Sequence, residues 1–515
     1  MTAPRHRLSR HGLSILSAIA TAGIVGGTLA VHGWQAVRTA YYINPVTGVW
    51  LALARDLADG VFYRDLIGPA GYGGTRYFPV FFSSLAALIK LGIRPLAAGF
   101  AVSIAAACLL SAAVERLLAR LGVTPALRVT LAALVLAAPS VQQTLFFIRS
   151  DLLATGFAVL GLAWTLPRRH AGLPTSAHGE EAPDPPARSL ALAALFLTLA
   201  VATKVTSLYA PAAALLALAL AHRSRAGLRL GLWLGAWGII AALIVQVASD
   251  GRALASFRAC ALGGSTAGAW MSGVGRALVS EFLGRSRLLS ATLVAGVLAW
   301  VADARHHWRG LPSVLFLCTI GTTAAILASP GTIPTNQTVD LYVAALVAGA
   351  AWVARHPRSA AAASVVAVAL ALASVRPNLE IVRNPTLQRL AAGLPAGRER
   401  AAALVDGFRE PVLCEAPELP VMAGRRPYLI DPFALRVVMR QRPDIERDLV
   451  DRVNARWFTH VILVFDPLTP GGRGWYTNVD FGWPVTERIL ANYQLQAVEA
   501  GFRIYRPRFT PQDAH

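Results

Sequence analysis

Long apolar runs, nearly free of ionisable side chains, recur along this chain at residues 12–33, 95–115, 126–147, 151–167, 189–204, 205–221, 227–249, 286–303, 311–329, 337–354 and 360–376. A helix needs about 20 such residues to cross the hydrocarbon layer of a bilayer. Several runs are shorter, as expected of broken or tilted helices. The rest of the composition agrees: 55% of the 515 residues are hydrophobic and only 15% charged. A soluble domain needs about a quarter charged to cover its surface. A soluble enzyme, a disordered chain and a disulfide scaffold are thereby excluded. The four cysteines (Cys108, Cys260, Cys318, Cys414) have no Cys-x-x-Cys spacing, so neither a zinc site nor a disulfide framework is signalled. The first run, from Gly12 to Trp34, is too long for a secretory leader and reads as the first span.

Lys and Arg number 48 against 28 Asp and Glu, a net charge of +20. In a soluble protein that excess would point to nucleic acid. Here the arginines gather in short loops between apolar runs, without interleaved base-stacking aromatics, which is the pattern of cytoplasmic membrane anchors. One further apolar run, 77–93, is ambiguous. With Arg5, Arg7 and Arg10 in the cytoplasm, a full crossing there would throw the Arg116/Arg120/Arg128 and Arg168/Arg169 loops outside. Read as a re-entrant or surface-lying helix, it leaves every arginine-rich loop inside, including Arg188, Arg223/Arg225/Arg229, Arg305/Arg309 and Arg355/Arg358. The expectation is eleven crossings with the C-terminal tail outside. That choice also gathers loop 34–94, Arg149, Asp151, Lys204, loop 250–285 and Asp340 at one face. Charges at membrane depth are costly and usually pair or line a cavity.

The expected fold is an α-helical polytopic membrane protein: a transmembrane domain over 1–376 with interfacial helices, then a small extracytoplasmic α/β domain over 377–515. In the latter, residues 411–415, 427–430 and 459–465 read as strands, and 444–456 and 485–498 as helices. Residues 168–188, rich in Pro, Gly and charge, read as a disordered connector. Within loop 34–94, Val46, Val49, Trp50, Leu53 and Leu57 form one stripe opposite Arg55 and Asp59, the pattern of a helix lying in the interface.

Four constellations carry candidate chemistry. Tyr-Gly-Gly-Thr-Arg-Tyr-Phe-Pro (72–79) offers close backbone approach and a lone Arg76 for a phosphate, or else an aromatic belt with a snorkelling arginine. Arg149 and Asp151 form an anion clamp beside a base or metal ligand, or merely bracket a tight turn. Lys204, among Thr203, Thr206 and Tyr209, suits a lipid phosphate, or snorkels to the interface. Asn336 and Asp340, four residues apart, share a helical face, where Asp340 can equally serve the helix dipole. Glu281, Arg285 and Arg287 in the outer loop are further candidates, whereas His306 and His307 read as a solvated loop. No Walker loop, Gly-x-Ser-x-Gly or dinucleotide fingerprint is present.

The run NPVTGVWLALARDLADGVFYRD (44–65), followed by YGGTRYFPVFF (72–82), resembles the first outer loop of GT-C class membrane glycosyltransferases. The similarity is to the protein-mannosyltransferase and lipid A aminoarabinose-transferase group, family 39 of the glycosyltransferases. FFIRSDLLATGF (146–157) resembles that family's Arg-x-Asp stretch, TKVTSLYAP and TNQTVDLY its later motifs, and AGRRPYLIDPF (423–433) the tail domain of bacterial members. The family carries a carboxylate just after the first helix; here Asn44, Pro45, Val46 and Thr47 stand there, and asparagine cannot take a proton.

The resemblance implies a transferase that moves a sugar from a polyprenyl-phosphate donor to a lipid, glycan or protein acceptor at the periplasmic face of a bacterial inner membrane. Arg76, Arg149 and Lys204 would hold the donor phosphate. Asp65, Asp151 or Asp340, or alternatively Asp56, would act as the base. Asn44, Tyr72, Tyr77 and Asn336 would line the substrate pocket. No cofactor and no resident metal are expected, although a divalent ion is compatible with the chemistry. A lipid-linked-sugar flippase and a catalytically inactive relative are the alternative readings.

Overall fold

The computed structural model describes residues 10–40, 43–167, 184–261, 287–327 and 334–508. The connector at 168–183, Glu281 and Arg285 lie outside the described residues. All eleven apolar runs are helical in their described parts. The first eleven helices are α1 (Arg10–Thr39), α2 (Pro45–Ala58), α3 (Pro79–Lys90), α4 (Pro95–Arg120), α5 (Pro125–Ala137), α6 (Pro139–Phe146), α7 (Asp151–Trp164), α8 (Ala187–Thr203), α9 (Tyr209–Leu220), α10 (Ser224–Ala248) and α11 (Arg252–Ala261). The helical body is completed by Arg287–His307, Leu311–Leu327, Val339–Arg355 and Ala360–Asn378.

Five successive helices, α2 to α6, open on proline, whose fixed φ suits the first helical position and whose missing N–H has no intrahelical partner there anyway. Between α5 and α6 the same residue breaks a run that would otherwise continue. Ala138, before Pro139, is extended, and the two helices meet at 61°. Among the described residues four helices are long and apolar enough to cross a membrane, or five with this bent pair, and six shorter apolar helices accompany them. The chain is membrane-embedded. The ambiguous run forms α3, whose 12 residues span about 18 Å, too short for a full crossing.

Small residues let the helices close on one another. A Cβ on Gly161 of α7 would fall 2.7 Å from Leu197 Cγ of α8 and 3.1 Å from the Ala193 carbonyl. This is how membrane helices gain contact where lipid is as apolar as they are. The apolar stripe expected of α2 is present, but its other face is not solvated: Thr47, Gly48, Ala52 and Asp56 are buried as well. α2 packs on α3 and α4 and is covered by the helix Glu418–Met422 from the C-terminal part.

That part holds a four-stranded sheet of β1 (Val412–Cys414), β2 (His460–Leu463), β3 (Tyr493–Glu499) and β4 (Phe502–Pro507), in the order β1-β2-β4-β3. β1 and β2 are parallel and the other pairs antiparallel. Side chains alternate between two cores: Leu413, Val461 and Leu463 on one face, Val412, Cys414, Ile462 and Ile504 on the other. Two sequence expectations need correction. The helix expected over 485–498 stops at Asn492, where the chain turns into β3 to pair with β4, so pairing overrides local propensity. The strand expected at 427–430 is not in the sheet. It makes one bridge, Leu429 to Tyr72, with Tyr72 N–H donating to the Tyr428 carbonyl at 2.9 Å and Ile430 N–H to that of Tyr72 at 3.1 Å.

Candidate active site

A cavity of about 720 Å³ lies between the helical body and the C-terminal sheet, a volume in the usual range of small-molecule sites. Its polar floor comes from three places where apolar helices break. The first follows α6, where Ile148 takes a left-handed φ of +53° and turns the chain so that Arg149 precedes Asp151 at the start of α7. The second is the end of α8, where Lys204 is extended before the helical turn Val205–Leu208. The third is the segment holding Asn336 and Gln337, ahead of Val339–Arg355.

One network joins these breaks. Lys204 Nζ donates to Asp151 Oδ1 at 2.6 Å and to Gln337 Oε1 at 3.1 Å. Asn336 Nδ2 donates to the same Asp151 oxygen at 3.0 Å, while Asn336 Oδ1 accepts from Arg149 Nη1 at 3.0 Å. Arg149 is 6% exposed, and its guanidinium lies 4.9 Å from the Phe147 ring centre. Among the described residues its Nε and Nη2 have no hydrogen-bond partner. The floor therefore presents unspent donors on a cation that protein carbonyls and carboxylates do not saturate, the arrangement an anion completes.

Arg76 reaches the cavity from the loop before α3, its guanidinium 4.3 Å from the ring centre of Phe433. Tyr77 and Asn44 also line it. The Asn44 side chain is already committed as the N-cap of α2, accepting from Val46 N–H at 3.0 Å and Thr47 N–H at 3.2 Å.

Three expected site residues lie apart from the cavity wall. Asp65 is exposed and faces Arg252 at 3.5 Å. Tyr72 is buried at the junction with the C-terminal part, its hydroxyl donating to Asp448 Oδ2 at 2.9 Å. Asp340 sits behind the network, accepting from Thr155 Oγ1 at 2.5 Å and the Tyr209 hydroxyl at 2.8 Å. Asp56, the alternative base, is locked to Arg64 Nη2 at 2.5 Å.

The C-terminal part adds carboxylates to which the sequence assigns no role, although Asp431 falls within the stretch 423–433 that resembles the family's tail domain. Asp431 caps the helix Pro432–Gln441 with Oδ1, accepting from Ala434 N–H at 3.0 Å, while Oδ2 is buried with no hydrogen-bond partner among the described residues. Burial raises its proton affinity, and Arg76 opposes the rise. Glu418, 1% exposed, lines the wall beside α2. Burial pushes its carboxyl up to about 7, against the pull of Arg398. Asp480 is driven well above the usual carboxylate range by burial and by Glu415 beside it. Glu415 accepts from Tyr476, Trp475 and the Val464 N–H at 2.6, 2.7 and 2.7 Å. Among the described residues no cluster of three or more His, Cys, Asp or Glu side chains has the arrangement of a metal site.

No protein-family model matches the chain, and no curated protein sequence matches it. Solved structures do. The chain superposes on ArnT from Cupriavidus metallidurans in the apo state with a TM-score of 0.54 at 14% identity, covering 92% of this chain and 98% of that one. The apo oligosaccharyltransferase of Archaeoglobus fulgidus gives a TM-score of 0.54 at 11% identity, over 94% of this chain and 73% of that one. The shared fold is that of the GT-C class, a mostly helical membrane body with a C-terminal α/β part, as the sequence motifs implied.

Proposed function

We propose that this chain is a membrane glycosyltransferase that takes a sugar from a polyprenyl-phosphate donor. The observation that carries the reading is the buried Arg149, with two nitrogens unpartnered, in a network with Lys204, Asp151 and Asn336 at the wall of a cavity large enough for a phosphosugar head. The fold adds support, since neighbours sharing it include an oligosaccharyltransferase.

In this reading the donor phosphate lies against Arg149, Lys204 and Arg76. As the bond between the anomeric carbon and the phosphate oxygen breaks, negative charge grows on the departing phosphate. Preorganised cations stabilise that growing charge more than they stabilise the intact donor. Asp151 and Asn336 set the geometry of the two cations, and Asp340 fixes Tyr209 and Thr155 behind them. Asp65, on the surface, takes no part in the chemistry. The acceptor enters from the side of the C-terminal part, placed outside the cytoplasmic membrane of a bacterium with the arginine-rich turns inside.

The test is to incubate the purified protein with a panel of polyprenyl-phosphate sugars and follow release of the carrier phosphate. Acceptor-dependent release supports the reading. Donor binding without release from any member favours an inactive relative, and movement of intact donor across a vesicle bilayer favours a flippase.

A further inference from the structure

The carboxylates around the cavity differ in what they already hold. Asp151 is bound to Lys204 and Asn336, and Asp480 stands against Glu415, which with burial raises its proton affinity. Asp431 has spent one oxygen on a helix cap and stands near Arg76. Glu418 alone among these has both carboxylate oxygens buried and without a hydrogen-bond partner among the described residues, apart from the approach of its own amide. The cation beside it, Arg398, is committed elsewhere, its two terminal nitrogens donating to the Ala40 and Ile43 carbonyls. Arg398 attracts this carboxylate without hydrogen-bonding it, and a buried carboxylate left without a side-chain donor is costly in an ordinary core and persists where a site uses it.

Its placement is built in. A Cβ on Gly48 would fall 2.4 Å from Glu418 Oε2 and 2.6 Å from its amide nitrogen, so only glycine lets the helix Glu418–Met422 press so close to α2. The preceding residue, Thr47, donates through Oγ1 to the Phe147 carbonyl at 2.5 Å, two residues before Arg149. Adjacent residues of one helical turn thus tie the anion-binding turn and the free carboxylate to the same cavity.

We propose that Glu418 is the catalytic residue that accepts the acceptor's proton during sugar transfer. This rests on the transferase reading above. The acceptor's hydroxyl or amine attacks the anomeric carbon, forming the new bond to carbon. The bond from that carbon to the phosphate oxygen breaks, and the polyprenyl phosphate leaves with the electron pair. The proton lost by the acceptor passes to a Glu418 oxygen and later to water. The raised proton affinity of this carboxyl suits it to take a proton near neutrality.

The test compares full-length wild type with Glu418→Gln, Glu418→Asp and Asp431→Asn in lipid nanodiscs. Carrier release is measured across pH, and donor affinity by equilibrium binding. Glu418→Gln should lower kcat by a hundredfold or more, in line with loss of a general base, while donor affinity moves less than about threefold, which also shows the protein folded. The wild-type rate should rise with pH through a midpoint near 7. Gln should abolish that limb and Glu418→Asp should retain it at a lower rate. A Gln variant with near wild-type kcat, or one that keeps the limb, overturns the proposal and leaves the transferase reading standing. So does loss of the limb in Asp431→Asn but not in Glu418→Gln. A wild type that releases carrier from no donor overturns both.

Discussion

Lys204 shows how much a single residue of this chain reveals through its sequence neighbours. A lysine inside some thirty apolar positions stands out because its charge has no cheap place to be, and the same holds for Arg149 and Asp151, while Asn336 stands out through its helical spacing to Asp340. The network between them is legible in the sequence for that reason. Glu418 is not, because it sits in a stretch of ordinary charge density, where only tertiary burial separates it from solvated neighbours, and Asp431 is marked only by the resemblance of 423–433, which assigns it no role. Two outcomes follow at this scale. Lys204→Ala should abolish carrier release while the protein remains folded by gel filtration, since Asp151 keeps its bond from Asn336; unchanged turnover would refute the role given to the lysine. Glu418 should also mark the stability profile. Its folded carboxyl titrates near 7 against an ordinary value of 4.5, so the folded chain holds a proton that the unfolded chain releases. That stabilisation is complete below about pH 4.5 and is lost as pH rises through 7, a total of roughly 3 kcal/mol. Glu418→Gln lacks the dependence. Thermal unfolding should therefore show the variant gaining on wild type between pH 5 and pH 8, and a constant difference would mean that the carboxyl titrates normally.

At the scale of elements, the glycines of the first outer loop serve a different partner from the one their pattern suggests. Those of 72–79 suggest close backbone approach beside Arg76, and Gly71 just before them makes such an approach at the junction between loop and C-terminal part. Its φ is +103°, and a Cβ would stand 1.9 Å from the Tyr428 carbonyl oxygen. Tyr72 and Arg64 belong to the same junction, Arg64 Nη1 donating to the Pro427 carbonyl at 2.7 Å. A pattern of Gly and aromatic residues states that something approaches closely without stating what, and here the partner lies more than 350 residues away in sequence. Gly71→Ala should cost about 2–4 kcal/mol, from backbone strain and a clash with main chain that no rotamer relieves. Gly60 has a comparable φ of +88° with open space around it, so Gly60→Ala should cost about 1 kcal/mol. Thermal melts of the two variants decide the point. Equal losses would mean that the tight bridge to Tyr428 contributes nothing.

Across the whole molecule, the two ends of the helical body carry opposite tasks. α7 begins at Asp151 in the cavity and ends at Trp164, over which Arg116 and Arg120 lie at 4.1 and 5.7 Å. α8 runs from Arg188 to the break at Lys204, and Val339–Arg355 from beside Asn336 to a terminal arginine. His222, just past α9, meets Arg309 at 3.4 Å. The arginine-rich turns thus stand at the helix ends facing away from the cavity, the separation that a bilayer with a positive inner side selects. This predicts the sidedness of exposed positions in a chain whose four cysteines are replaced. Asp250→Cys and Gln496→Cys, at the cavity end, should react with a membrane-impermeant thiol reagent applied to intact cells. His222→Cys and Arg358→Cys should react only after permeabilisation. Labelling in the reverse order would put the cavity on the cytoplasmic side, against the extracytoplasmic site of the proposed transfer. Labelling of all four in intact cells would mean that these ends do not lie on opposite sides of a membrane, and the eleven-crossing arrangement would fall with it.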